Sequence, residues 1–401
     1  MTTPEKGVCA PKGFRTAAAA AGIKKPDPDR LDCALIVSEA PATVAGVFTT
    51  NVVHAAPVRY CREVCSGGVA RAVMVNSGNA NACTGEQGYA DTLKTAEIVA
   101  NLLDIPPEQV CVSSTGVIGV PMPMDRLEQG IKQCAAGLSD ASGPDAARAI
   151  MTTDTVPKYC SVELPLTQGT VRIGAMAKGA GMIAPNMATM LAFITTDAAI
   201  EAPLLQHMLR EAVARSFNCI CVDNDMSTND TVLCLANGLS TISVAPDSPD
   251  CARFAAALED VCVSLAQALV RDGEGATKFV AITVTGAAND ADARTIAAAI
   301  AKSQLCKTAF YGQDANWGRI AAAAGYSGVV FDPTRLDLYI QGVHVLAAGQ
   351  PTAYSEAEVQ ESMKQPDIDV TLELHDGTGA ATFWTSDLSQ EYVAINADYR
   401  T

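Results

Sequence analysis

Strand-like and helix-like segments are interspersed along both halves of this 401-residue chain. Leu336, Leu338 and Ile340 alternate with polar neighbours, which is the period of a half-buried strand. The apolar residues of 205–217 and 254–269 instead recur at helical spacing. Further strand-like runs are CALIVSE (33–39), AVMVN (72–76), VCVSS (110–114), VRIGAMA (171–177), FVAITVTG (279–286), LDLYIQGVHV (336–345) and IDVTLEL (368–374). No regular strand–helix–strand rhythm joins them, so the pattern favours a layered α+β fold over a doubly wound sheet.

The composition is that of a folded protein with an acidic surface. Hydrophobic residues make up 49% of the chain, and 44 acidic residues against 28 basic ones give a net charge of −16. Because no cluster of Lys and Arg offers a track for phosphates, we expect no nucleic-acid partner. No apolar run reaches the length of a membrane span, and the N-terminus does not resemble a signal peptide. We therefore expect a cytoplasmic protein without a membrane partner.

The cysteines and histidines give no support for a metal centre. The 14 cysteines are scattered without a CxxC pair, and we interpret them as reduced thiols. The four histidines, none of which lies at metal-ligand spacing, are His54, His207, His344 and His375. No GxSxG motif is present to indicate a serine nucleophile. We predict neither a metal site nor a cofactor.

The segment KGAGMIAPNMATMLAFITTD (178–197) fits no ordinary element and allows several interpretations. Gly179, Gly181 and Ala184 match the glycine pattern of a dinucleotide-binding loop. However, Pro185 follows at once, and no acidic residue ends a following strand about 20 residues on. The dinucleotide interpretation is therefore weak. Equally, MATML could simply begin a buried helix or strand.

A third interpretation makes the backbone itself the reactant. A threonine becomes a nucleophile when it is the first residue of a chain, because its own α-amine then acts as the base. Such an amine titrates near ~7.7–8.0, so part of it is unprotonated at neutral pH. Here the Ala188–Thr189 bond would have to break. The glycines and the proline upstream would hold that bond in an unusual conformation.

The same segment closely resembles the processing site of the ornithine acetyltransferase (glutamate N-acetyltransferase) family of arginine biosynthesis. The resemblance extends over essentially the whole chain. It includes GFRTAAAAAGIKKP, VNSGNANACTG (75–85), SSTGVIGVPMPMD (113–125), MTTDTVPK (151–158), DNDMSTNDTV (223–232), RDGEGATK (271–278), YGQDANWGRI (311–320) and INADYRT (395–401). So many motifs in matching order make a chance match implausible.

The resemblance implies a fold and a maturation step. The fold is the layered α-β-β-α sandwich of the superfamily that unites ornithine acetyltransferases and aminopeptidases. The chain is expected to cleave itself between Ala188 and Thr189 into pieces 1–188 and 189–401. These pieces would stay together as one folded unit and assemble as a heterotetramer with two copies of each.

The resemblance also implies roles for individual residues. Thr189 corresponds to the nucleophile, and Thr115 and Gly116 correspond to the oxyanion hole. Lys178 looks like the family's carboxylate-binding lysine, and Glu274 looks like its charged substrate contact. The implied substrate-binding set is Thr155, Lys178, Thr189, Glu274, Asn396 and Thr401.

The implied reaction moves the acetyl group of N2-acetylornithine to glutamate through an acetyl-threonine intermediate. The sequence leaves open whether acetyl-CoA is a second acetyl donor. Two alternative functions remain at this point. One is an amidohydrolase or aminopeptidase of the same superfamily, and the other is a dinucleotide-binding protein that uses the loop with Gly179 and Gly181.

Overall fold

The computed structural model describes residues 6–184 and 190–398. Its strands are β1 (Phe14–Ala19), β2 (Cys33–Phe48), β3 (Val69–Asn79), β4 (Val110–Val117), β5 (Lys158–Leu166), β6 (Gly169–Lys178), β7 (Leu191–Thr196), β8 (Ile220–Cys221), β9 (Thr231–Ala236), β10 (Phe279–Ala287), β11 (Asp337–Ile340), β12 (Val343–Ala347), β13 (Gln350–Pro351), β14 (Asp367–Glu373) and β15 (Gly379–Ser386). Its helices are α1 (Ala56–Gly67), α2 (Gly85–Leu103), α3 (Met124–Ala136), α4 (Gly143–Ala149), α5 (Ala202–Arg215), α6 (Pro249–Arg271), α7 (Asp290–Lys302), α8 (Gln304–Tyr311), α9 (Trp317–Gly325), α10 (Glu356–Ser362) and α11 (Gln390–Asp398). The helices predicted over 205–217 and 254–269 correspond to α5 and α6.

The first sheet has the strand order β4-β3-β2-β9-β7-β6-β5, with β1 paired to β2. Its longest strand, β2, changes register between Val37 and Ala42, so its first part pairs with β1 and its second part with β9. Most neighbours are antiparallel, whereas β3 with β4 and β7 with β9 are parallel. The sheet is therefore mixed.

The central strands of this sheet are buried on both faces. In β7, Phe193 faces the core shared with β1–β4, and its neighbours Ala192 and Ile194 face the core shared with α5 and α6. In β9, Leu233 faces the first of these cores and Cys234 faces the second. Strands covered on both sides are apolar throughout rather than alternating, which explains why the sequence LAFITT shows no two-residue period.

The second sheet has the order β13-β12-β11-β14-β10-β15-β8 and is also mixed. Helix α7 packs on β10 and β15, and α6 contacts both β5 of the first sheet and β15 of the second. Two mixed sheets covered by helices confirm the α+β sandwich predicted from the sequence. Within the parts of the chain that the structure describes, no helix has the length and apolar character that crossing a membrane requires.

The prediction of one continuous strand over 336–345 was wrong. The structure folds this run into β11 and β12, which pair as an antiparallel hairpin with Ile340 opposite Val343. Gln341 and Gly342, at the turn, both have positive φ, at 51° and 77°. Two successive residues with positive φ form the turn whose twist matches a two-residue hairpin, and the glycine makes that conformation accessible.

Candidate active site

A cavity is lined by residues from seven of the motifs identified in the sequence. The predicted oxyanion-hole residues and three of the predicted substrate-binding residues lie on its wall: Thr115, Gly116, Lys178, Glu274 and Asn396. The segment 223–230 contributes several more lining residues, namely Asp223, Asp225, Ser227, Thr228 and Asn229. Residues far apart in sequence thus converge on one concave site, which is how ligand sites are usually built.

The strand backbone is irregular at Thr115 and Gly116. Here β4 runs beside β3, and their register breaks between Gly78 and Asn79. Gly116 has a φ of 131°, and a Cβ placed on it would lie 2.3 Å from the carbonyl carbon of Gly78. Only glycine fits this position, because any side chain would push the two strands apart. Thr115 is buried beside this distortion and borders the cavity.

Lys178 ends β6 and places a buried cation next to Thr115. Its Nζ donates to Thr152 Oγ1 at 2.8 Å and to Thr115 Oγ1 at 3.4 Å. The same atom lies 3.9 Å from Asp154 Oδ2. Burial lowers the pKa of Lys178, while the nearby Asp154 carboxylate opposes that change. The site therefore contains an ammonium group that is held by hydroxyls and by a carboxylate.

Asp154 joins this cation to a second buried ion pair. Its Oδ1 accepts hydrogen bonds from Lys158 Nζ at 2.7 Å and from the amide of Gly179 at 2.6 Å. Lys158 Nζ also reaches Asp272 Oδ2 at 2.5 Å. Burial alone would raise the pKa of Asp154, but Lys178 and Lys158 lower it to about 2. Asp154 is thus shared by both lysines, and Lys158 has Asp272 as a second carboxylate partner.

Thr155 sits on the outer side of this network. Its amide donates to Asp272 Oδ2 at 3.0 Å, and its hydroxyl donates to Asp272 Oδ1. Thr155 is exposed and is not among the described residues that line the cavity. From the same motif, Thr152 and Thr153 line it instead. A direct contact between Thr155 and substrate stays a prediction.

Glu274 lines the cavity, and its carboxylate lies directly beside Gly181. Its amide donates to the carbonyl oxygen of Ala180 at 2.8 Å, which fixes the two loops together. A Cβ placed on Gly181 would lie 2.4 Å from the carboxylate carbon of Glu274. Asn396 Nδ2 donates to Glu274 Oε2 at 2.8 Å. The glycine thus makes room for the carboxylate, and Asn396 of α11 orients it.

The dinucleotide interpretation finds no support in this geometry. A dinucleotide loop leads from a strand into a helix whose N-terminus holds the pyrophosphate. Here β6 ends at Lys178, residues 179–184 are not helical, and β7 already begins at Leu191. The strands β6 and β7 also pair antiparallel, whereas a dinucleotide-binding unit joins parallel strands through a helix.

The model of the ArgJ family matches residues 15–401. This chain belongs to the ArgJ family. Its relative from Symbiobacterium thermophilum, named arginine biosynthesis bifunctional protein ArgJ, is 52% identical over 98% of both chains. The protein of the same name from Geobacter sulfurreducens is also 52% identical, over 97% of this chain and 99% of its own. A crystal structure of arginine biosynthesis bifunctional protein ArgJ from Bacillus halodurans is 44% identical, with a TM-score of 0.51, over 52% of this chain and 98% of that one.

Family membership confirms the resemblance seen in the sequence. Three residues of the predicted site lie outside the described residues of this ArgJ family member: Ala188 and Thr189 at the cleavage junction, and Thr401 at the C-terminus. The described residues on either side of the junction are well anchored. Their hydrogen-bond partners come from the motif DNDMSTNDTV (223–232) and the residue before it, and the sequence pointed to this motif only through the family resemblance.

Asp223 anchors the chain before the junction. Its Oδ2 accepts from the amide of Met182 at 2.5 Å, and its Oδ1 accepts from the amide of Ile183 at 2.8 Å. The amide of Val222 also donates to the carbonyl oxygen of Ile183 at 2.8 Å. Burial raises the pKa of Asp223 to about 6, although the amide hydrogen bonds oppose this.

Asn229 connects the motif 223–232 to strand β4, which carries Thr115. Its side-chain amide donates to the carbonyl oxygens of Ala80 at 2.6 Å and Ser114 at 2.8 Å. Since Ser114 directly precedes Thr115, Asn229 fixes the backbone from which that hydroxyl projects. The signal available in the sequence was the density of Asp and Asn in DNDMSTND (223–230).

Proposed function

We propose that this chain transfers the acetyl group of N2-acetylornithine to glutamate, by way of an acetyl ester on Thr189. The observation that carries this proposal is the convergence of five predicted residues on one cavity in a member of the ArgJ family. The relatives' printed names, which place them in arginine biosynthesis, agree with it. Small amino-acid substrates suit a cavity that holds both a buried cation and a carboxylate.

The first half-reaction forms the acetyl-enzyme. Thr189 Oγ attacks the acetyl carbonyl carbon while the α-amine of Thr189 takes the hydroxyl proton. The Thr115 hydroxyl and the Gly116 amide would stabilise the oxyanion of the tetrahedral intermediate. The bond between the carbonyl carbon and the ornithine nitrogen then breaks, and the proton held by the threonine amine moves to that nitrogen. Ornithine leaves with its amine restored.

The second half-reaction runs the same steps in the opposite direction. The glutamate amine attacks the acetyl ester carbonyl, its proton passes through the threonine amine, and the Thr189 hydroxyl leaves restored. Water must be excluded while the ester exists, because hydrolysis would release acetate.

Two charged groups would orient the substrates. The Lys178 ammonium is the buried cation suited to the α-carboxylate that both amino acids carry, since a charge-assisted hydrogen bond is stronger than a neutral one. Glu274, held by Asn396 at 2.8 Å, is suited to the side-chain ammonium of ornithine. Together they would place the acetyl group at a fixed distance from the nucleophile.

We infer that cleavage leaves the pieces 1–188 and 189–401 interlocked. Strands β9 and β7 of the second piece lie between β2 and β6 of the first within one sheet. Separation of the two pieces would therefore break the backbone hydrogen bonds between β2 and β9 and those between β6 and β7. The Bacillus halodurans chain, matched over 98% of its length by 52% of this one, has about the length expected of one piece. Two copies of each piece would form the heterotetramer.

The proposal also includes a second acetyl donor and a cytoplasmic location. The relatives are named bifunctional, which supports a second activity, and acetyl-CoA is the candidate second donor. No cofactor has a role in the proposed steps. The described cysteines are all unpaired, as expected in the reducing cytoplasm.

A denaturing gel with mass spectrometry tests the proposal directly. Active protein should show two fragments, with Thr189 as the first residue of the second, and T189A should stay uncut and inactive. Acetylornithine mixed with glutamate should yield acetylglutamate, whereas a hydrolase would yield acetate. A single intact band from active wild-type protein would refute the proposal. Replacing acetylornithine by acetyl-CoA in the same assay tests the second donor.

A further inference from the structure

A second cavity lies between helix α7, strand β15 and Ser327, which follows helix α9. We call it the basic cavity, and its volume is about 420 Å³. Among the described residues that line it, the charged ones are Arg294 and Lys302, both of α7. Two cations without an acidic neighbour in the wall are unexpected in a chain whose net charge is −16. A concave site of this size suits a small molecule.

Arg294 brings an unsatisfied donor to the basic cavity. The residue is partly buried, and its Nε atom is buried without a hydrogen-bond partner among the described residues. A buried donor without an acceptor is rare in folded proteins, because the hydration that it loses is not replaced. The guanidinium group carries its N–H donors in a planar fork that matches a carboxylate or a phosphate. An anionic ligand would supply the missing acceptor.

The acidic residues that precede Arg294 on α7 have other partners. Asp290 Oδ1 accepts a hydrogen bond from the amide of Ala380 at 2.9 Å. Asp292 Oδ2 accepts a hydrogen bond from Asn289 Nδ2 at 2.9 Å. Within the described parts of the chain, no ion pair joins either carboxylate to Arg294. The positive charge of the basic cavity therefore has no internal counter-charge from this helix.

The spacing of the two cations indicates a ligand with two anionic groups. Lys302 follows Arg294 by two helical turns and a little more, which places their Cα atoms roughly 12 Å apart along the axis of α7. Between them, the small residues Ala298 and Ala299 line the cavity, and Phe383 adds an apolar wall. A single small anion would reach one cation. A dicarboxylate with an apolar middle would reach both, because both side chains are long.

The basic cavity is distinct from the active-site cavity. Among the described residues, none lines both. The carbonyl oxygen of Lys302 accepts a hydrogen bond from Asn224 Nδ2 at 2.9 Å, and Asn224 lies between Asp223 and Asp225 of the active-site wall. This contact uses the backbone of Lys302, so its ammonium group remains available for a ligand. Changes of the Arg294 or Lys302 side chain should therefore leave the active-site cavity intact.

We propose that the basic cavity binds a small dicarboxylate, with one carboxylate on Arg294 and the other on Lys302. The guanidinium fork would hold the inner carboxylate through charge-assisted hydrogen bonds. Lys302 is exposed, and it would bind the outer carboxylate at the mouth. The acceptor and the product of the proposed acetyl transfer are themselves dicarboxylates, so the enzyme would meet such ligands as it works. Binding in the basic cavity does not depend on that reaction.

Calorimetric titration of the purified wild-type protein with glutarate tests the proposal. Glutarate has two carboxylates and no amine that could accept an acetyl group. We expect saturable binding, with a Kd that rises about tenfold or more in R294M and in K302M, because each variant loses a charge-assisted hydrogen bond. Circular dichroism checks the fold of both variants. Since Lys302 is exposed, K302M keeps the test valid if R294M misfolds.

R253M is the matched control for the loss of one positive charge. Arg253 is an arginine of α6 that pairs with Asp250 at 3.3 Å, and it is not among the described residues lining the basic cavity. Its Kd for glutarate should stay within twofold of wild type. Equal Kd values in R253M, R294M and K302M would overturn the proposal, as would wild-type protein without saturable binding.

K178M separates the basic cavity from the active site, because Lys178 is also suited to a carboxylate. The Kd for glutarate should stay within twofold of wild type in K178M and rise about tenfold in the double variant K178M/R294M. Loss of all binding in K178M would place the ligand in the active-site cavity and overturn the proposal. Absence of acetyl transfer in wild-type protein would instead refute the proposed function and leave the binding results unchanged.

Two further ligands test the chemical class. Acetate has one carboxylate and phosphate has one anionic centre, so each should bind about tenfold or more weakly than glutarate. Phosphate binding as tight as that of glutarate would overturn the dicarboxylate assignment.

Acylation of lysines by a labelled anhydride, read by mass spectrometry, locates the bound glutarate. Glutarate should slow the modification of Lys302 but not that of Lys132, an exposed lysine of α3. Equal modification of Lys302 with and without saturating glutarate would contradict the proposed site.

Discussion

The ammonium nitrogen of Lys178 lies 3.4 Å from the hydroxyl oxygen of Thr115, although 62 residues separate them in the sequence. The two residues stand near the ends of β6 and β4, which are not neighbours in the sheet. A buried cation thus adjoins the hydroxyl predicted to stabilise the oxyanion. Under the proposed function, this contact would couple substrate binding to the stabilisation of the reaction's charged intermediate.

T115A should reduce kcat by about 10²–10³, because one oxyanion donor is typically worth that factor. KM for acetylornithine should change much less, since the donor acts mainly on the transition state. T115S is the matched control, because it keeps the hydroxyl and should retain most of the activity. Steady-state kinetics with both substrates measure the effect. A kcat of T115A within twofold of wild type would contradict the assignment.

K178M should raise KM for both amino-acid substrates by about 10- to 100-fold, because a hydrogen bond to a charged group contributes about 1.5–3 kcal/mol. K307M is a useful comparison, since Lys307 is equally buried but bonds Thr385 Oγ1 at 2.9 Å and is not among the described residues lining the cavity. K307M should lower the melting temperature without changing KM. Equal KM values in K178M and wild type would argue against carboxylate binding at Lys178.

D154N should destabilise the protein by about 3–5 kcal/mol, because two buried lysines would lose their shared counter-charge. Its Oδ1 and Oδ2 otherwise receive Lys158 Nζ at 2.7 Å and Lys178 Nζ at 3.9 Å. Chemical unfolding of D154N and wild type gives the difference in the free energy of unfolding. A loss below 1 kcal/mol would mean that Asp272 alone can hold Lys158.

Lowering the pH should reduce the free energy of unfolding of the wild-type protein, because it protonates Asp154. Its folded-state pKa of about 2 lies below the ordinary value of 3.8. The ionised carboxylate therefore contributes about 2 kcal/mol at neutral pH, and this contribution is lost as the pH falls from about 4 to about 2. Unfolding by urea across this range should show a smaller pH dependence in D154N. Parallel curves for the two proteins would contradict the prediction.

G181A should displace Glu274 from the cavity, because the new Cβ would lie 2.4 Å from the carboxylate carbon. We expect KM for acetylornithine to rise about tenfold, as for the loss of one charge-assisted hydrogen bond. G67A is the control, since Gly67 ends α1 with no atom within 4 Å of an added Cβ. It should leave the kinetics unchanged and hold or slightly raise the melting temperature. Unchanged kinetics in G181A would show that Glu274 does not contact acetylornithine.

Much of the fold was predictable because its signals are local. Helices α5 and α6 follow from the recurrence of apolar residues at helical spacing, which any buried helix face requires. The hairpin of β11 and β12 was not predicted, because the alternation continues across Gln341 and Gly342 and conceals the turn. Strand β7 was left ambiguous, since a strand buried on both faces has no two-residue period.

The sequence by itself determined the family, the α+β class and the identity of the candidate catalytic residues, because these depend on residue types in order along the chain. Only the tertiary structure decided which groups meet. The ladder between β7 and β9 sets Asp230 against the amide of Met190, and Asp154 gathers Lys178 and Lys158 from different strands. Such contacts depend on strand register, which decides which residues become neighbours. The pKa of a group then depends on its burial and on the charges of those neighbours, which are remote in sequence.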